Sequence, residues 1–129
     1  MRVTSDGGLK AWESDDGSVL YYSNSQHAIW QMPARGGPPT RVLGFPETTT
    51  FGGEWIPRSN GVYWLNSEMD PHVAIELFEF RTGRSARLIA PSGPYDHGSG
   101  FAVSKDGRWA VFSQMDYRGA DIMVIDRAR

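Results

Sequence analysis

The stretch SKDGRWAVFS at residues 104–113 decides the reading. Asp106-Gly107 is a tight-turn signal, because Asp and Gly both tolerate the positive φ of hairpin turns. The run that follows, Trp109 to Phe112, is aromatic and β-branched and suits a half-buried pleated surface. Toward the N-terminus the same pattern stands twice more, as RSNGVYWLN at 58–66 and SDDGSVLYYS at 14–23. The turn glycines Gly17, Gly61 and Gly107 are 44 and 46 residues apart. A second series follows each run: HAIWQMPA at 27–34, VAIELFEF at 73–80 and ADIMVIDRA at 120–128. In it Ile29, Ile75 and Ile122 correspond, at spacings of 46 and 47. A third series, TRVL at 40–43 and ARLI at 86–89, repeats at 46 after glycine turns at Gly36-Gly37 and Gly83. Three series sharing one period describe one structural repeat.

Each period predicts four short antiparallel strands of ordinary length. They are expected at 9–13, 19–23, 28–32 and 40–43, then at 54–56, 62–65, 73–80 and 86–89, then at 101–104, 109–113 and 121–126. Residues 73–80 also fit one face of a helix, through Val73, Ala74, Leu77 and Phe78. Their counterpart at 27–34 contains Pro33, a poor helix residue, and equivalent positions share a state, so a strand is expected. The third repeat has no fourth strand before the sequence stops. Arg2-Val3-Thr4 resembles Arg41-Val42-Leu43 and Arg87-Leu88-Ile89, so 2–4 is expected to supply that outer strand. The expectation is an all-β chain of three four-stranded sheets, at about 6–43, 47–89 and 95–126, with a clasp strand at 2–4.

Composition agrees with a folded β domain. The 129 residues suffice for one compact unit, and Gly 15 with Pro 8 favours many short elements. Five Trp and five Tyr supply bulk for burial, and a net charge of −2 argues against a disordered chain. The 13 basic and 15 acidic residues are interspersed, so neither a nucleic-acid stripe nor an acidic tail is expected. No apolar run approaches the roughly 18–20 residues of a membrane span, so no membrane contact by this chain is expected. With Cys at 0, there is no disulfide framework, thiolate metal site or Cys nucleophile, and the compartment stays open.

At this point the residues carry a family likeness. Ser104–Ser113 resembles the S-x-D-G-R-W-x-x-x-S/T blade motif of bacterial TolB-like, WD-repeat-like β-propellers. Residues 29–43 resemble the third and fourth strands of such a blade. Residues 113–124 are similar to the last blade of sensor propellers found behind winged-helix regulators and serine/threonine kinases. The first repeat departs at Ser18, where Arg or Lys before Trp is usual, and the second has Asn60 for Asp. The resemblance implies three propeller blades, half of a six-bladed ring, whose last blade takes its outer strand from the N-terminus. Propellers normally have four to eight blades. Two arrangements therefore follow: a homodimer that closes the ring, or a piece of a longer chain.

The candidate functional residues are loop residues. In a propeller the second-to-third and fourth-to-first strand connections share one face. That face is expected to collect His27, His72, Tyr95, Asp96, His97, Asp116, Tyr117 and Arg118, a surface for a protein or small ligand. The three His lack metal-ligand spacing, so neither metal nor cofactor is expected. Asp96-His97-Gly98-Ser99 invites a nucleophile reading, but a triad is built by geometry and not by adjacency. No G-x-S-x-G elbow exists, and the Gly-Gly pairs open no helix for phosphate. The Trp residues are expected to pack between blades. The reading is thus a non-catalytic binding module, part of a bacterial sensor or signalling protein. The alternatives are the propeller of a hydrolase, lyase or other enzyme, and a purely structural blade set.

Overall fold

The computed structural model describes residues 2–5, 7–25, 28–42, 54–66, 73–95, 100–116 and 119–126, with the backbone alone at 116 and 119–121. Eleven strands and no helix occur among them. The first sheet holds β1 (Lys10–Glu13), β2 (Val19–Ser23), β3 (Ile29–Pro33) and β4 (Thr40–Arg41). The second holds β5 (Trp55–Arg58), β6 (Gly61–Asn66), β7 (Ala74–Glu79) and β8 (Arg84–Ile89). The third holds β9 (Phe101–Val103), β10 (Trp109–Asp116) and β11 (Gly119–Asp126). Every pairing is antiparallel between chain neighbours, as the repeat predicts. Residues 74–79 are a strand, in full register with β6.

The Ser-x-Asp-Gly turn explains why the repeat begins where it does. In the first sheet the Ser14 hydroxyl donates to Asp16 Oδ1 at 2.6 Å and accepts from the Val19 amide at 2.9 Å. Ser104 and Asp106 repeat this, with the Trp109 amide 3.0 Å from Ser104 Oγ. Gly17 and Gly107 close these turns at φ 70° and 68°, where a side chain would be strained. Gly61 differs from expectation. It has no left-handed φ and is already part of β6; a Cβ there would overlap the Phe78 carbonyl oxygen. Its glycine is required by close packing and not by turn geometry.

The sheets stack face to face, and period-two alternation assigns each residue to one neighbour. Tyr21, Ile29 and Val42 of the first sheet meet Trp55, Val62, Trp64 and Phe78 of the second. Across that seam the Tyr21 and Phe80 rings stack with centroids 5.7 Å apart. From the second sheet's other face, Ile56, Tyr63, Leu65, Ile75 and Leu77 meet Phe101, Val103, Ala110 and Phe112 of the third. The middle sheet is covered on both sides, so all six residues of β6 are buried. The two end sheets each keep one face without a neighbouring sheet among the described residues. Of the Trp residues expected between sheets, Trp12, Trp55 and Trp64 are there; Trp30 and Trp109 lie on the end faces instead.

Residues 2–5 lie outside every strand. Arg2 bonds back to the Thr4 and Ser5 carbonyl oxygens at 2.8 and 2.6 Å. In the single chain the third sheet therefore ends at β11.

Candidate binding face

The first strands β1, β5 and β9 are neighbours, and two polar ties fix their relative direction. Lys10 Nζ, at the start of β1, lies 3.2 Å from Glu54 Oε2, just before β5. Arg58, at the end of β5, reaches the ends of both neighbours. Its Nη1 is 3.5 Å from Asp15 Oδ1, and its Nε donates to the Val103 and Ser104 carbonyl oxygens at 3.1 Å. The Arg58 Nη2 also donates to the Val103 carbonyl. Start therefore meets start and end meets end, so the inner strands run in parallel. The connections after β2, β6 and β10 all leave from one rim.

Most of the expected binding residues sit on those connections. His27, His72, Asp96, His97, Tyr117 and Arg118 lie outside the described residues, as does the side chain of Asp116. The backbone of Asp116 closes β10, paired with Gly119, so the β10–β11 pairing continues beyond residue 113, where the second strand was expected to end. Tyr95 is placed differently from expectation. It is 5% exposed and packs in the core between the second and third sheets. Its backbone bridges Gln114, and the Met115 amide donates to the Pro94 carbonyl at 2.9 Å. A Cβ on Gly93 would overlap the Gln114 side chain. This segment therefore holds the 93–95 loop beside the β10–β11 hairpin, with the Tyr95 ring as its anchor.

At the opposite rim a cleft of about 280 Å3 is lined by Asp15, Asp16, Tyr21, Pro57, Arg58 and Ser59 among others. Hydrogen bonds from the Ser14 hydroxyl, then from the Ser18 amide and hydroxyl, hold the Asp16 carboxyl down at about 2. The Ser104 hydroxyl, followed by the Arg108 amide, lowers Asp106 likewise. Burial, with the Asp16 charge second, pushes the Tyr21 hydroxyl up. Groups that stay charged and bonded in this way brace turns.

Reading the sequence alone missed a polar cluster within the second sheet. Glu76, 8% exposed, accepts from Asn66 Nδ2 at 3.1 Å and from Arg87 Nη2 at 3.3 Å. The visible signal was one carboxylate inside the apolar run VAIELF. No group of three or more His, Cys, Asp or Glu that could hold a metal occurs among the described residues.

No family model matches the chain, and no curated protein matches it. Solved structures do. TolB from Acinetobacter baumannii superposes with a TM-score of 0.71 over 96% of this chain, at 17% identity. The fold is that of TolB-like β-propeller blades. An oligogalacturonate lyase solved in complex with manganese matches at TM-score 0.56 over 84% of the chain, at 13% identity. The matched regions are 31% and 30% of those two chains, so this sequence spans about a third of their length. The three sheets are propeller blades, and the inner strands β1, β5 and β9 border the propeller axis.

Proposed function

We propose that the chain is a non-catalytic propeller module that presents the rim carrying His27, His72, Asp96, His97, Asp116, Tyr117 and Arg118 to a protein partner, within a sensor or signalling protein. The observation that carries this reading is how the charges nearest the axis are used. Lys10 pairs with Glu54, and Arg58 pairs with Asp15 and with backbone carbonyls, so these groups join blades. These braces make the blades a scaffold, and scaffold loops are where recognition residues concentrate. The enzymatic alternative has one observation on its side, the likeness to a lyase solved with manganese. At 13% identity that likeness carries fold and no chemistry.

The test is identification followed by reconstitution. A protein retained by the chain is identified, purified and titrated against the wild-type chain and a His72→Ala/Tyr117→Ala/Arg118→Ala variant. A tenfold or larger loss of affinity with an unchanged melting temperature supports the rim. Equal binding overturns it. Formation of unsaturated product from oligogalacturonate with Mn2+ would overturn the non-catalytic reading.

A further inference from the structure

We propose that the cleft between the first two blades, at the rim opposite the recognition loops, is a binding site for an alkylammonium group, the chemistry of a lysine side chain or of a small aliphatic amine.

Hairpin length opens the cleft. The last pair of β5 and β6 is Arg58 with Gly61, so Ser59 and Asn60 alone form the turn. The first blade has a longer turn, Asp15 to Ser18, closed by the Ser14 amide donating to the Val19 carbonyl at 2.8 Å. The third blade matches the first, with the Ser104 amide 2.9 Å from the Trp109 carbonyl oxygen.

The two seams differ for this reason. Tyr21 and Tyr63 hold the same place in their blades. Tyr21 pairs with Trp12, two residues before Ser14, and Tyr63 pairs with Ile56, two residues before Arg58. At the second seam the Tyr63 hydroxyl reaches the long turn of the third blade and lies where a Cβ on Gly107 would stand. Asn60 Nδ2 donates to that hydroxyl at 3.1 Å. The chain's own phenol fills that seam. At the first seam the facing turn is the short one, and a cleft of about 280 Å3 remains between Tyr21 and Ser59.

Its walls suit a slender apolar stem. Val19 and Tyr21 line it from the first blade and buried Pro57 from the second. Stacking on Phe80, with centroids 5.7 Å apart, holds the Tyr21 ring in place. The volume equals roughly nine waters at about 30 Å3 each, the scale of one side chain or one small aliphatic molecule.

Its charge selects a cation. Asp15 and Asp16 against Arg58 leave one net negative charge on the lining. All three guanidinium nitrogens are engaged. Nη1 faces Asp15 Oδ1 at 3.5 Å and donates to the Pro57 carbonyl at 3.1 Å, while Nε and Nη2 bond the carbonyls of the third blade. Arg58 is therefore a brace and not an anion receptor. Asp16 is exposed and stands at the mouth of the cleft. The Ser14 hydroxyl, the Ser18 amide and the Ser18 hydroxyl donate to its Oδ1 at 2.6, 3.0 and 2.7 Å, and Oδ2 takes none of these bonds. The same donors keep the carboxyl ionised down to about 2. Its charge also acts on the Tyr21 hydroxyl, second to burial in raising it, so the carboxylate lies toward the aromatic wall. An ammonium at the mouth would meet this carboxylate and the Ser18 and Ser59 hydroxyl oxygens, with its alkyl stem against Val19, Tyr21 and Pro57.

Titration of the isotope-labelled wild-type chain, followed by amide chemical shifts at neutral pH, tests the site. Pentylamine carries the ammonium on a free stem, and Nα-acetyl-lysine methylamide carries it on a peptide unit. Pentanol is the neutral counterpart and pentanoate the anionic one. Both ammonium compounds should give saturable shifts at Ser14–Val19 and at Arg58 and Ser59, with dissociation constants on the order of 1–10 mM. The tighter of the two names the source, peptide or free amine. Asp16→Asn should weaken both by about fivefold while circular dichroism keeps its β signature. Equal shifts with pentanol or pentanoate would overturn the proposal, and this comparison needs no variant to fold. Shifts that stay linear to about 100 mM, or that fall elsewhere on the chain, would overturn it too. So would a folded Asp16→Asn chain that binds both compounds as well as wild type.

Discussion

Arg58 Nη1 stands 3.5 Å from Asp15 Oδ1, and this pair joins the second blade to the first while the rest of the guanidinium holds the third. The two ties differ in strength. The carbonyl bonds are charge-assisted and partly buried, whereas the carboxylate is a quarter exposed. Arg58→Ala should therefore cost about 3 kcal/mol, because it also leaves the Val103 and Ser104 carbonyls short of donors. Asp15→Ala should cost no more than about 1 kcal/mol. Urea unfolding at unchanged slope reads both, and equal costs would show that the ion pair is the main tie.

Acid should weaken the turns in a defined window. The folded value of Asp16 is depressed from 3.8 to about 2, and that of Asp106 is also depressed. A depressed carboxylate contributes stability that is fully present above its unfolded value and is lost as pH falls through the folded one. The loss belongs between about pH 4 and pH 2. Asp16→Asn keeps an acceptor for Ser14 and should flatten the stability-against-pH curve in that window alone. An unchanged curve would show that the Ser14 bond is not retained in solution.

Gly61 and Gly83 should respond differently to alanine. At Gly61 the added Cβ meets the Phe78 carbonyl and the Leu77 side chain inside a buried strand pair. Backbone must move, and a loss of several kcal/mol is expected. At Gly83 the space is open and only the φ of 64° resists, which costs about 1 kcal/mol. Thermal melts of the two variants give the order; the reverse would contradict the register of β6 on β7.

Tyr95→Ala separates core from binding face. The ring is buried between the second and third blades, so truncation should cost about 3–5 kcal/mol. Tyr95→Phe should keep most of that packing. Loss of partner affinity in Tyr95→Phe at full stability would return this residue to the recognition surface.

The strands were legible in the sequence because their signals are local. A Ser-x-Asp-Gly turn closes its hydrogen bonds within five residues, and strand alternation repeats every second residue. Eleven strands therefore fall where the repeat puts them, within a few residues at their ends. The candidate site was legible only as loop connectivity. Topology sends the connections after β2, β6 and β10 to one rim, but burial is a property of neighbours, and so Tyr95 could be placed on a loop and still be core.

What the sequence determined by itself is the repeat, its phase and the antiparallel order of each blade, since those depend on pairings inside one repeat, such as Gly61 with Glu79 and Trp109 with Asp126. Which face of a blade packs, where Arg58 finds its partners and which apolar faces stay open were decided by the tertiary structure. Arg58 stands 45 residues from Val103, the distance of one whole repeat, and only stacking one blade on the next brings them together.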